Sequence, residues 1–273
     1  MAAGALTRPP RRRGLLLLYH AVGEICPPGG ERFAVTRAAF ALQLQLLRDL
    51  QAARQIAVMD LASWWTGPAP ADRLPVLLCF DDGTRSDYEQ ALPLLAEVGF
   101  TATFFIPTAL AGQPGYMDWT QIRALQAAGM RLACHGHQHH PLSRLAPAAL
   151  QSELRTARHM LQQRAGTAVQ FLAAPYGLWN RRVLEATLCA GFQALATSRP
   201  GRARAGAVCL ARTAVHHSTS VRELHSWLRG RAAGFAGPSA RHGLLWLPKH
   251  ILLHSRLNWP APPLAPTASR SSS

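Results

Sequence analysis

Short apolar runs alternate with longer segments of helical periodicity along most of the chain. The apolar runs have the length of buried strands, and we predict strands in GLLLLYHAV, VLLCFDD, TATFFIP, RLACH, VQFLAAPYG and FQALATS. The amphipathic segments predict helices in TRAAFALQLQLLRDLQAA, DYEQALPLLAEVGF, DWTQIRALQAAGM, PAALQSELRTARHMLQQRAG and NRRVLEATLCAG. Repeated strand-then-helix units of this length are typical of an α/β fold with a parallel sheet.

Polar motifs follow several of the predicted strands. Asp81 and Asp82 end one strand, His135 ends another, and the turn PYG at 175–177 ends a third. An α/β barrel builds its site from the ends of several strands, whereas an open sheet usually draws on fewer strands at its switch point. We therefore predict a barrel rather than an open doubly wound sheet.

The two ends of the chain differ in composition from its centre. We divide the chain into a basic leader, a single α/β domain, a segment rich in tryptophan and basic residues, and a tail of disordered composition, at residues 1–13, 14–235, 236–259 and 260–273. The four leucines that follow the leader's arginines make too short an apolar core for a signal peptide. A membrane-spanning helix is not expected, because the sequence has no apolar run of about eighteen residues or more. Residues 243–259 suit either a segment lying on a membrane surface or a last strand or helix packed on the domain.

The net charge is strongly positive, with 29 basic against 14 acidic residues and a formal charge of +15. Such a charge favours an anionic partner. We expect no nucleic acid, because the arginines are spread along the chain rather than clustered with aromatic residues. An anionic glycan, or the phosphate of a lipid carrier, suits the charge equally well. Together with residues 243–259 and the lack of a signal peptide, the charge predicts a cytoplasmic location at the inner face of a membrane, with peripheral membrane contact.

Five cysteines are scattered along the chain without a CxxC pair. An odd and scattered set argues against a disulfide scaffold and against zinc held by cysteines. Cys79 and Cys134 directly precede polar motifs, and we expect them to be small residues at strand ends rather than reactive thiols.

The first candidate for chemistry is the sequence CFDDG at the end of a predicted strand. Adjacent carboxylates disfavour joint ionisation, and a cation removes that difficulty. Because successive strand residues point to opposite faces, one aspartate can bind a metal while its neighbour acts as a base. The alternative is a simple turn capped by an aspartate.

The second candidate is CHGHQHH, which contains four histidines within six positions. A spacing of four between His135 and His139 lets both imidazoles meet one ion if the chain turns helically after His135. With Asp82 they would form a set of two nitrogens and one oxygen that suits zinc and leaves positions open for water and substrate. The alternative is a surface or capping role for the two histidines.

The third candidate is the turn PYG after a later strand. A stiff turn of this kind can hold a backbone N–H where an oxyanion develops. Taken alone, the three residues are only a turn.

In their order along the chain, these motifs resemble those of the polysaccharide deacetylases, metal-dependent carbohydrate esterases with the NodB homology domain. The resemblance runs from about residue 14 to about residue 215. LLLLYHAV is similar to the family's first strand, LLCFDDG to its TFDDG motif and ATFFIPT to its second strand. CHGHQHHPLSRL is similar to SHxxTHxxLxxL, and LAAPYGLWN is similar to the FxYPYG form of the third motif.

The resemblance implies a distorted (β/α) barrel that holds one divalent ion, most often Zn²⁺. It implies Asp82, His135 and His139 as the metal ligands. It implies Asp81 as the general base that activates the attacking water, and the backbone N–H of Tyr176 as a donor to the oxyanion.

The resemblance also places other groups near the reacting amide. Pro175 and Gly177 are expected to contact the substrate. His20, at the end of the first strand, is expected either to contact the substrate beside the site or to be a histidine packed at the strand end. His254 in ILLHS is similar to a late histidine that protonates the leaving amine in many family members, while AVHHS offers two more histidines for that role. His137 falls where the family tolerates variety, so we expect it to be a bystander or to support the ligands.

The sequence departs from the family pattern just before PYG. Ala173 and Ala174 stand where the family often has an arginine or a tyrosine, which leaves open what supports the base. Arg212 resembles an arginine found after the RPG loop in one branch of the family, and the sequence does not reveal its role.

The resemblance implies an N-deacetylase that removes an N-acetyl or other N-acyl group from a sugar of a polysaccharide or lipid-linked glycan. The alternative is a barrel that has lost turnover and serves as a glycan-binding or assembly partner, which the altered third motif and the lack of an assigned general acid favour. Against this alternative, a non-catalytic barrel has no need of Asp81 beside Asp82.

Overall fold

The structure is a computed structural model, and it describes residues 13–23, 31–67 and 72–230. The strands, in chain order, are β1 (Arg13–Tyr19), β2 (Ala21–Val22), β3 (Ala34–Val35), β4 (Ile56–Val58), β5 (Leu74–Phe80), β6 (Ala102–Ile106), β7 (Arg131–Cys134), β8 (Phe171–Ala173), β9 (Ala194–Ala196), β10 (Arg202–Arg204), β11 (Cys209–Leu210) and β12 (Thr213–Ala214). The helices are α1 (Arg37–Ala52), α2 (Leu61–Thr66), α3 (Leu92–Glu97), α4 (Trp119–Ala127), α5 (Pro147–Ala165), α6 (Arg181–Cys189) and α7 (Val221–Leu228).

The main sheet curves into a nearly closed barrel. Strands β1, β5, β6, β7, β8 and β9 lie side by side and in parallel. Beyond them, β11 pairs with β9 at one end of the order, and β12 pairs with β1 at the other. Residues 211 and 212 alone separate β11 from β12, so this short piece of chain bridges the two ends of the sheet. The predicted α/β barrel is confirmed.

The barrel strands divide their side chains between two buried clusters, as the alternation of a strand requires. Leu15 and Leu17 of β1 belong to the larger cluster, which the helices cover from outside. Leu16 of the same strand belongs to the inner cluster, together with Phe105 of β6. The inner cluster also contains five alanines from four strands, and small side chains suit the narrow interior of a barrel: Ala133, Ala173, Ala194, Ala196 and Ala203.

The helices begin and end where their sequence signals predict. The side chain of Thr36 accepts a hydrogen bond from the N–H of Ala39 (3.1 Å) and caps α1. Gly166 ends α5 in the left-handed conformation with φ 65°. One prediction was simpler than the structure: the segment before Gly99 starts as a π-helical turn over Asp87–Ala91 and only then continues as α3.

The two cysteines beside the polar motifs are buried, as expected from the sequence. Burial raises the pKa of the Cys79 thiol to about 12, and burial does the same for Cys134. Neither sulfur is therefore a reactive thiolate at neutral pH.

Several predictions concern parts of the chain outside the described residues. These are the basic leader up to residue 12, the proposed membrane-facing or packing segment 236–259, and the tail 260–273. Within the described residues, no helix combines the length and the apolar character that crossing a membrane requires.

Candidate metal centre

The two adjacent aspartates leave β5 in different directions. The N–H of Asp81 donates to the carbonyl of Tyr19 at 3.0 Å, which extends the pairing of β5 with β1 by one residue. Asp82 has φ 74°, a left-handed conformation that breaks the strand. The side chain of Asp81 is consequently buried, whereas that of Asp82 is 26 % exposed and faces the histidines.

Asp81 forms a two-point ion pair with Arg212. The two guanidinium nitrogens Nη1 and Nη2 lie 2.6 and 2.7 Å from the carboxylate oxygens Oδ1 and Oδ2. Arg212 lies in the bridge between β11 and β12, its Nε donates to the carbonyl of Thr197 (3.1 Å), and its guanidinium lies 4.9 Å from the centre of the Phe105 ring. Burial raises the pKa of Asp81, but the charge and hydrogen bonds of Arg212, together with the charges of His135 and His20, outweigh that effect and lower the pKa below the ordinary value. Asp81 is therefore held as a carboxylate.

Asp82, His135 and His139 meet at the mouth of the barrel. Oδ1 of Asp82 lies 3.3 Å from Nε2 of His135 and 3.1 Å from Nε2 of His139. One ligand atom from each of the three residues lies within 4.8 Å of the others. The helical turn assumed in the sequence analysis is wrong, because the chain from His135 to His139 is an irregular loop in which His139 has φ 58°. The loop nevertheless brings the two rings to a centroid distance of 5.0 Å.

The hydrogen bonds around the two rings fit a divalent cation. Nδ1 of His135 lies 3.0 Å from the carbonyl oxygen of Ala173, so it carries the proton and donates, and Nε2 is left with its lone pair toward Asp82. Nε2 of His139 is buried and, among the described residues, has no hydrogen-bond partner of acceptable geometry. The nitrogen lone pairs of His135 and His139 and the carboxylate of Asp82 repel one another unless a positive charge lies between them. The residues therefore fit a metal such as Zn²⁺, which takes this donor set.

Burial raises the pKa of Asp82, but the close contacts with His135 and His139 and the charge of His20 lower it well below the ordinary value. Burial lowers the pKa of His135, yet the charge of Asp81 and the contact with Asp82 raise it above the ordinary value. Without a metal, a proton on His135 supplies the missing positive charge. The same electrostatic field favours a cation at this point.

The PYG turn lies directly beside this cluster. The ring of Tyr176 lies 4.8 Å from that of His139, and about half of Tyr176 is exposed. The turn is fixed by backbone shape, since Gly177 has φ 67° and a Cβ there would lie 2.8 Å from Oγ of Ser198. Pro175 is buried against Gly136. The oxyanion role of the Tyr176 N–H and the substrate contacts of Pro175 and Gly177 stay predictions.

The histidines predicted around the leaving group have different outcomes. His254 lies outside the described residues. His20 lies near the cluster: burial lowers the pKa of its ring, and the negative charges of Asp82 and Asp81 act in the opposite direction. The centre of the Phe33 ring lies 4.7 Å from that of His20 and 5.3 Å from that of His216.

Sequence reasoning missed the role of Arg212. Arg212 supplies the cation beside Asp81 that the sequence lacks at Ala173 and Ala174, both of which are buried and apolar. Two signals were available: the likeness of Arg212 to an arginine of one family branch, and the absence of a cation from the motif before PYG. A buried carboxylate such as Asp81 needs a cation from elsewhere.

Comparisons with known proteins agree with this geometry. Residues 69–195 match the family described as polysaccharide deacetylase. YxkH of Bacillus subtilis (strain 168), which is named for the same family, is 24% identical over 188 residues, 69% of this chain and 65% of its own length. The chitooligosaccharide deacetylase of Bradyrhizobium sp. (strain ANU 289) is 35% identical over 123 residues, 44% of this chain and 54% of its own length.

Among solved structures, the Streptococcus pyogenes deacetylase PplD in complex with acetate has a TM-score of 0.70 at 22% identity and covers 79% of this chain and 98% of its own. IcaB from Ammonifex degensii has a TM-score of 0.67 at 22% identity, over 80% of this chain and 98% of its own. At these identities the likeness shows a shared fold. The family match and the shared fold agree that residues 69–195, a little under half of the chain, are similar to the polysaccharide deacetylases. It spans less than two thirds of the length of the two curated relatives.

Proposed function

We propose that this protein is a metal-dependent hydrolase that removes an N-acetyl or other N-acyl group from a sugar of a polysaccharide or lipid-linked glycan. One observation carries the proposal: Asp82, His135 and His139 converge beside a buried, charged Asp81 at the mouth of the barrel. The names of the curated relatives support the sugar substrate, and a deacetylase of the same fold holds acetate.

The roles of the residues follow from their charges. Asp82, His135 and His139 would hold a divalent ion, which would supply the Lewis acidity that acidifies water. This matters because Asp81, with its lowered pKa, is by itself a weak base. Asp81 accepts the proton of the attacking water, and Arg212 keeps its carboxylate oriented. The N–H of Tyr176 donates to the oxygen of the attacked carbonyl as it becomes negative. A C–O bond forms, the C–N bond breaks, and the products are a carboxylate and a free amine.

The leaving amine must gain a proton, and His20 is a candidate donor within the described part of the chain. Its Nδ1 is buried and without a hydrogen-bond partner among the described residues. Burial lowers the pKa of its ring below the ordinary value and the charges of Asp82 and Asp81 only partly offset that effect, so the ring must first gain a proton before it can donate one. His254 stays a second candidate for this role.

One of the two features that favour the binding-protein alternative, the altered motif before PYG, loses weight because Arg212 supplies the cation that this motif lacks. The other feature, the unassigned general acid, is unchanged. The proposed partner is a glycan substrate. A cytoplasmic location at the inner face of a membrane is proposed from the charge and the sequence of residues 243–259 alone.

The first test is metal content and acetate release on tag-free protein, beside the His139→Ala variant. We expect about one zinc or similar ion per chain and acetate release from an N-acetylated chitooligosaccharide. His139→Ala should lose both, because removing a ligand costs more than the ~10–100-fold that loss of a supporting group costs. Wild-type protein that binds no metal after reconstitution would overturn the proposal.

A further inference from the structure

The loop from His135 to His139 holds a shape that its own residues do not favour. Gly136 has φ 80° and His139 has φ 58°, and the loop belongs to neither a helix nor a strand. A left-handed histidine is strained. Contacts from outside the loop must therefore keep it in place.

On one side, hydrogen bonds from the residues just after β6 hold the loop. The N–H of Thr108 donates to the carbonyl of Gly136 (3.2 Å), and the N–H of Ala109 donates to the carbonyl of His137 (2.9 Å). The hydroxyl of Thr108 also lies 2.8 Å from Nδ1 of His137. These contacts explain His137, which supports the loop rather than binding the metal.

On the other side, one carboxylate oxygen from α5 binds the loop. Oε1 of Glu153 accepts hydrogen bonds from the N–H groups of His137 (2.8 Å) and Gln138 (2.7 Å). Glu153 is buried, and a Cβ at Gly136 would lie 3.2 Å from the same oxygen. Two successive N–H groups converging on one anionic oxygen form a concave, charge-assisted contact.

We propose that Glu153 is a positioning residue for the metal centre. It holds the N–H groups of His137 and Gln138, and so holds His139 in the left-handed conformation that aims Nε2 at Asp82. The inference rests on the proposed metal role of Asp82, His135 and His139. Glu153 touches neither the metal ligands' donor atoms nor the substrate in this scheme, and it acts through the loop.

The test is a Co²⁺ titration of metal-free protein followed by absorption, with Zn²⁺ competition. Glu153→Ala should weaken metal binding by about 10–100-fold, the usual effect of losing a group that orients a ligand. Glu153→Gln keeps an acceptor oxygen without the charge, so it should recover part of that loss. Glu185→Ala is the control, because Glu185 is exposed on α6 and pairs with Arg181 (2.7 Å). It should bind metal as the wild type does. If Glu153→Ala does not fold, Glu153→Asp, which keeps the charge but shortens the reach, takes its place.

A second measurement needs no metal. Amide hydrogen exchange of the metal-free protein should show protection at His137 and Gln138 that Glu153→Ala removes and Glu185→Ala leaves intact. Equal Co²⁺ affinity in wild type and Glu153→Ala, or unchanged exchange at these two amides, would overturn the positioning role. Wild-type protein that binds no metal would instead overturn the proposed function, so the two failures are distinguishable.

Discussion

The Asp81–Arg212 pair and the Asp82–histidine cluster are built from neighbouring residues, yet they are opposite environments. The carboxylate of Asp81 is almost fully buried and held by one permanent cation at 2.6 and 2.7 Å. The carboxylate of Asp82 is partly exposed and faces two imidazoles whose charge depends on pH or on a metal. The left-handed backbone of Asp82 creates this difference, because it turns the second side chain away from the barrel interior.

The contrast separates two tasks that one residue type must perform. A ligand must be accessible to a cation, whereas a base must stay charged and fixed in direction. A buried ion pair is weak evidence for stability, since desolvation can exceed the Coulombic gain. The Asp81–Arg212 pair is better understood as a device that keeps the base ionised.

Replacing the proposed base Asp81 should cause the largest loss of turnover, and it tests the different roles of Asp81 and Asp82 most directly. Asp81→Asn keeps the shape but cannot accept a proton, so turnover should fall by about 10²–10⁴-fold, the usual contribution of a general base. Metal content should stay at the wild-type value, because Asp82, His135 and His139 are intact. Acetate release and elemental analysis on the same samples check this. Normal turnover in Asp81→Asn would contradict the division of roles.

Removing the cation of Arg212 tests the buried Asp81–Arg212 pair. Arg212→Met leaves Asp81 as an unpaired buried charge, and loss of one partner of a buried pair costs about 3–5 kcal/mol of unfolding free energy. Urea denaturation of the metal-free proteins measures the loss. The exposed Arg181 on α6 provides a matched control, and Arg181→Met should leave the unfolding free energy unchanged. Equal stability of the two variants would show that the buried charge of Asp81 does not depend on Arg212 for its compensation.

The parts of the molecule that depend on local sequence were predictable. Thr36 caps α1 and Gly166 ends α5 because their signals lie within one turn of the element they control. The candidate ligands also followed from short motifs at strand ends. The order of strands in a parallel barrel made their meeting expected.

Contacts between distant segments were not predictable. Arg212 is 131 residues from Asp81, and their pairing depends on the bridge that closes the barrel. The loop at His139 was expected to be helical from a spacing of four. Its real shape depends on Glu153 and on the end of β6, which no local pattern reveals.

The smallest expected effect is a pH dependence that separates the wild type from Arg212→Met. In the wild type the pKa of Asp81 is lowered, so its contribution to stability is present above the unfolded value of about 3.9 and is lost only as the pH falls through the folded pKa. Without Arg212, only the charges of His135 and His20 oppose burial, the largest influence on this group, and we expect the pKa of Asp81 to rise above the ordinary value. The contribution of Asp81 to stability is then present below the unfolded pKa of about 3.9, and it is lost as the pH rises through the folded pKa of Asp81.

Arg212 also opposes protonation of His135, so its removal raises the pKa of that ring and adds a loss in the same direction as the pH rises. The difference in unfolding free energy between the two proteins should therefore widen from pH 5 to pH 8, by up to about 1.4 kcal/mol per pH unit for each proton involved. Urea denaturation of the metal-free proteins at both pH values measures it, with Arg181→Met as the control that should show no widening. A difference that stays constant or narrows would mean that Arg212 does not hold the charge of Asp81, and the contrast between the two aspartates would then rest on geometry alone.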